Sequence, residues 1–258
     1  MAFWRRLLAG SDWSHLLSLA TPAFFDVVSA RDLTTRARKL AHNWFAREEY
    51  LACVSGLREA LSKHDIGIEM AEVKPNRSLV PFRSEPLAAD ECPMAEDGDA
   101  VLRLFFLQIA ALDSVFLDLR ASRFCHQGSS KRNTFRPLPL FSHWSPDFVQ
   151  GVRQLYRGFY EDDNALFVQA TQALGVSAAN DVFERAFGGE RKHASRCSLA
   201  EFRDTFQEVF VRCRDAKQAF HPDFVTLGIM LATLYDHLET LGGVYDVAAA
   251  YHAAQPEF

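Results

Sequence analysis

With 258 residues, 48% of them hydrophobic and 24% charged, the chain can bury one large core and falls outside the disordered and low-complexity classes. A net charge of −5 supplies no global field for nucleic acid or an anionic membrane, so neither is an expected partner and any basic site is local. Five scattered cysteines, an odd number with no Cys-x-x-Cys pair, exclude a disulfide framework and fit a reducing, cytoplasmic compartment.

The 22 Phe, against 4 Trp and 6 Tyr, favour thick helix–helix interfaces over sheets. Met1 to Leu8 carries its charges behind the first apolar residues, with no sustained apolar stretch after them, and reads as lacking a signal peptide. A short helix is predicted near Asp12 to Leu19, broken at Thr21-Pro22 and restarted through Phe24, Phe25, Val27 and Val28. Ser29 and Asp32 form a capping-box-like start. Leu33, Ala37, Leu40, Trp44, Leu51, Val54 and Leu61 then recur at steps of three and four, which predicts one long amphipathic helix.

Pro75, Pro81, Pro86 and Pro93 exclude a regular helix from about Ile66 to Gly98, where a long loop is expected with a short strand between Ile66 and Val73. Asp99 is expected to cap the most hydrophobic helix, Ala100 to about Phe124, a central pillar with Asp113 and Arg120 on one stripe. Its apolar run, Val101 to Leu112, is broken by Arg103 and Gln108 and is too short to span a bilayer.

Cys125 to Trp144 reads as a second irregular loop. Ser145-Pro146-Asp147 opens a helix burying Phe148, Val152, Leu155 and Phe159, which stops near Glu161 to Asn164 and restarts to Leu174, with Gly175 as its C-terminal cap. Ser177 begins another, ended by Gly188-Gly189. Ser198 and Glu201 form a capping box before Leu199, Phe202, Phe206, Val209, Cys213 and Phe220. His221-Pro222-Asp223 opens the next helix, which ends at Gly242-Gly243 and forms an antiparallel hairpin with its predecessor. No repeat, glycine-rich phosphate loop or strand–helix alternation is present. The expected fold is therefore all-α, one irregular bundle of roughly eight or nine helices with two long loops, 66–98 and 125–144.

Chemistry-bearing residues are sparse. His193-Ala-Ser-Arg-Cys197 places two potential ligands four apart beside a helix start. The segment resembles the single-cysteine haem attachment of helical haem-dependent aromatic oxygenases related to tryptophan dioxygenase. That resemblance spans these five residues and the helical character. It implies a haem oxidoreductase, with His193 as axial metal ligand, Cys197 as covalent anchor and the Phe-rich bundle as a dry pocket. The plainer reading is an exposed turn, given Glu190, Arg191, Lys192 and Arg196 beside it.

Cys125, His126, His193 and Cys197 have the donor types of a tetrahedral zinc site but not finger spacing. Glu-x-x-His spacing suited to a di-metal bundle occurs only at poor positions, such as Asp12/His15 and Glu190/His193. In the second loop Arg132 and Arg136, with Lys131, His143, Trp144, Phe135 and Phe141, and with Arg120 and Arg123 upstream, are candidates for holding an anionic substrate. No Gly-x-Ser-x-Gly elbow marks a hydrolase. His42, His64, His221 and His252 are assigned to surface or capping positions. Two function classes follow: a bundle binding a hydrophobic or aromatic ligand or cofactor, with haem as the candidate, or a non-catalytic protein-interaction module.

Overall fold

Apolar residues at steps of three and four put one stripe of each segment against its neighbours, and packing those stripes together gives an all-α, multi-helix bundle. The computed structural model describes residues 22–72, 95–127 and 132–255, so the expected helix near Asp12 to Leu19 and most of the first loop lie outside the described residues. Among the described residues there are ten α-helices and five short strands.

The first helices are α1 (Pro22–Val27), α2 (Ala30–Asn43) and α3 (Arg47–Lys63). Ser29 caps α2 as expected, its Oγ accepting from the Asp32 N–H at 3.1 Å. The long helix expected from Leu33 to Leu61 is instead α2 and α3, broken at Trp44 to Ala46. The break lets two buried polar groups reach the same strand segment: Asn43 Nδ2 donates to Phe141 O at 2.6 Å and Tyr50 Oη to Pro137 O at 2.8 Å.

Strand β1 (Ile68–Met70) falls inside the predicted Ile66 to Val73 strand. Helix α4 (Asp97–Ala111) begins before Asp99 and ends well short of Phe124. The ending has a local cause. Gln108 Oε1 accepts from the Phe116 N–H at 2.8 Å, holding the chain extended into β2 (Ser114–Phe116). Asp113 and Arg120 therefore share no helical stripe.

The second expected loop contains β3 (Phe124–Gln127), β4 (Arg132–Phe135) and β5 (Phe141–His143). Strand β4 pairs parallel with β1 and antiparallel with β3, while β2 pairs antiparallel with β5. Phe116, Phe135 and Phe141 are fully buried there, which is why the segment is ordered into strands although its sequence is rich in charge.

Then follow α5 (Pro146–Tyr160), α6 (Asn164–Leu174), α7 (Asn180–Phe187), α8 (Leu199–Asp215), α9 (Phe224–Leu241) and α10 (Val247–Ala253). Gly175 caps α6 at φ 76°, and a Cβ there would meet Ala219 O at 2.1 Å. Gly158 lets α5 and α6 meet, since a Cβ on it would lie 2.4 Å from Phe167 N. Ser198 caps α8 and Gly242 ends α9, both as expected. Helix α4 is the pillar: α3, α5, α9 and α10 all pack on it, and Leu104, Phe105 and Leu107 are almost wholly buried. No helix among the described residues is long and apolar enough to cross a membrane.

Candidate functional site: an aromatic cavity

Around α4 the aromatic rings do not fill the space they enclose. Helices α4 to α10, with the short turn Gly189–Lys192, surround a cavity of about 120 Å³ lined by nine phenylalanines and three tyrosines. Engineered apolar cavities of roughly 150 Å³ stay dry and take up benzene, so this volume suits one aromatic ring. Phe105 and Phe106 come from α4, Tyr156 and Tyr160 from α5, Phe202 and Phe206 from α8, and Tyr235 from α9. The rings meet edge-on or stacked. Phe106 lies 5.4 Å from Tyr156 and 5.7 Å from Tyr160, and Phe202 lies 4.7 Å from Tyr235, the offset geometry aromatic quadrupoles favour.

Tyr156, Tyr160 and Tyr235 bring phenols to the wall, beside the hydroxyl residue Ser195. None of their hydroxyls has a hydrogen-bond partner among the described residues. Burial pushes all three phenols well above the ordinary tyrosine range, so they are protonated donors at any physiological pH. All three side chains are half-buried. Cys197, also in the wall, is pushed up to about 12 by burial, with Glu239 adding to the shift. A thiol held protonated in this way is a poor nucleophile.

The rim carries two cations. Lys192 Nζ donates to Phe159 O and to Asp162 Oδ1, both at 2.6 Å, and sits 4.7 Å over the Phe159 ring. Its charge is thus engaged outside the cavity. Arg191 is exposed, donates Nη1–H to Ala186 O at 3.1 Å and has no carboxylate partner among the described residues.

The expected His193/Cys197 pair is divided. Cys197 is buried in the cavity wall, whereas the His193 side chain is 66% exposed, lies outside the cavity and faces Asp246, with Nδ1 at 3.3 Å from Oδ1. The site does not fit a haem held by these two residues. Their side chains do not converge, since Cys197 lines the cavity and His193 does not. Of the zinc quartet, the His126 side chain lies outside the described residues. No group of three or more His, Cys, Asp or Glu able to hold a metal ion occurs among those that are described.

In the expected anion site one cation is already committed to an internal ion pair. Arg120 is buried and gives both Nε and Nη2 to Asp118 at 2.8 Å, a bidentate pair inside the protein that Arg123 joins at 3.5 Å. Arg136 is half-buried and its backbone N–H donates to Arg123 O; the side chain of Arg132 lies outside the described residues.

One constellation appears only in three dimensions. Ser145 Oγ lies 3.5 Å from His221 Nε2, and His221 neighbours the buried carboxylate of Asp223. The hydrogen bonds argue against a nucleophile. Asp223 N–H donates to His221 Nδ1 at 3.2 Å, which makes Nδ1 an acceptor and leaves the proton on Nε2, facing Ser145. Ser145 itself donates Oγ–H to Asp223 Oδ2 at 3.2 Å, and Arg36 pairs with Oδ1. A catalytic histidine needs the opposite polarity. The cluster ties the starts of α5 and α9 to α2.

Compared with known proteins, the chain matches no family model and no curated protein sequence.

Proposed function

We propose that the chain binds a small aromatic or apolar molecule in the cavity between α4 and α10, as a binding protein rather than as a catalyst. The observation that carries this reading is a single-ring-sized space inside the bundle, walled by aromatic side chains. The wall offers hydrogen-bond donors in Tyr156, Tyr160 and Tyr235 and a thiol held protonated. It offers no paired acid and base, which favours binding over reaction.

Toluene and phenol are suitable probes, followed by saturation-transfer NMR and by thermal shift. Binding should transfer saturation to the probe and raise the melting temperature. Cys197→Phe, which pushes a ring into the cavity from its wall, should abolish both signals. Folded wild-type protein that shows neither effect with either probe would overturn the reading.

A second reading is favoured by a separate observation. Phe25 and Phe45 expose 57% and 60% of their surface, one on α1 and the other at the break between α2 and α3. Large apolar groups in water mark contact positions for another protein. Phe45→Asp would then abolish capture of that partner while leaving probe binding in the cavity intact.

A further inference from the structure

The three tyrosine hydroxyls and Arg191 narrow the class of ligand. Tyr156 and Tyr160 stand one turn apart on α5, their rings stacked at 6.2 Å with an interplanar angle of 8°, so both phenols come off the same face of that helix. Tyr235 reaches the same space from α9. The groups share one electrostatic environment. After burial, Tyr160 is pushed up by Tyr156 and Tyr235, while Tyr235 is pushed up by Cys197, Tyr156 and Glu201 and drawn down by Arg191. Arg191 and Tyr235 also line the same cavity.

Three phenols able to donate stand in one cavity wall. The nearby cation on the rim, Arg191, is unpaired with any carboxylate among the described residues. An acceptor with several lone pairs and a negative charge would meet these donors and that cation at once. A carboxylate supplies both. The volume leaves room for one ring beside it.

Resting on the reading of the cavity as a ligand site, we propose that its ligand is a single-ring aromatic carboxylate, with the ring among the phenylalanines and the carboxylate on the hydroxyls of Tyr156, Tyr160 and Tyr235, facing Arg191. Charge at the rim then draws the ligand in, the phenols select it, and the aromatic wall supplies apolar contact.

The test compares benzoate with benzamide, its neutral isostere, and with toluene, using titration calorimetry on the full chain. Benzoate should bind at least about tenfold more tightly than either, the order expected for hydrogen bonds to a charged acceptor. Tyr235→Phe and Arg191→Gln should each weaken benzoate severalfold and leave toluene unchanged. Arg191 is exposed, so its variant reports on the ligand even where a tyrosine variant fails to fold. Toluene or benzamide binding as tightly as benzoate overturns this proposal while sparing the cavity as an apolar site. So does benzoate binding indifferent to both substitutions. Folded protein that binds none of the three probes removes both readings together.

Discussion

Acid should destabilise this protein through one histidine in particular. His237 lies on α9 and is 2% exposed; its Nδ1–H donates to Leu119 O at 2.8 Å and its ring packs 4.8 Å from Phe124. Burial lowers its pKa to about 4, against a partial upward pull from the Leu119 carbonyl and from Asp236, Asp97 and Asp118. In the unfolded chain the imidazole returns to 6.5. Between those values the unfolded state binds a proton that the native state refuses, so stability is complete above pH 6.5 and is lost as the pH falls toward 4. A difference of about 2.5 units at roughly 1.4 kcal/mol each is about 3.5 kcal/mol, a large share of a typical domain's stability. Urea denaturation midpoints from pH 8 to pH 4 measure it. His237→Asn keeps a donor for Leu119 O and removes the titration, so its curve should flatten over this range. His221, whose pKa is lowered chiefly by burial, adds a slope of the same sign, but it is present in both proteins and cancels in the comparison. Parallel losses in wild type and variant would refute the assignment to His237.

Three further outcomes follow from the interior. Asp118→Asn leaves the guanidinium of Arg120 buried without its counter-charge and should cost roughly 3–5 kcal/mol by urea denaturation, while Asp118→Leu combined with Arg120→Met should recover most of it. Gly175→Ala meets both a left-handed backbone and Ala219 O, and should cost at least about 2 kcal/mol, seen as a melting temperature lower by roughly 4–8 °C. Iodoacetamide at pH 8 should leave Cys53, Cys197 and Cys213 of the native protein unlabelled and modify them on unfolding. Burial raises all three thiols, to about 11, 12 and 11, and leaves almost no thiolate to react.

Helices announced themselves wherever apolar spacing and a cap agreed. The Ser198 cap with the Leu199 to Cys213 stripe, and Gly175 closing α6, are local signals, and local geometry satisfied them. Errors arose where a distant partner decided the outcome. Nothing near Gln108 says that its amide will seize the Phe116 N–H and turn a helical stripe into a strand, because β5, which pairs with that strand, lies about 25 residues further on. The same holds at Trp44, where α2 ends so that Asn43 and Tyr50 can reach carbonyls of residues 141 and 137.

The candidate site was half legible for a similar reason. Its rings appear in the sequence as ordinary core stripes, and periodicity cannot tell a filled core from a hollow one, since the difference depends on how rings from six helices meet. His193 and Cys197 drew attention as ligand types at a suggestive spacing, but a turn and an isolated bridge between Ser195 and Tyr245 send their side chains different ways. The stronger signal was Tyr156-x-x-x-Tyr160. On α5 the apolar stripe of Phe148, Val152 and Leu155 passes into two phenols one turn apart, polar tips on the face that must be buried. Two phenols so placed bring hydrogen-bond donors to the cavity wall, where a ligand can accept from them.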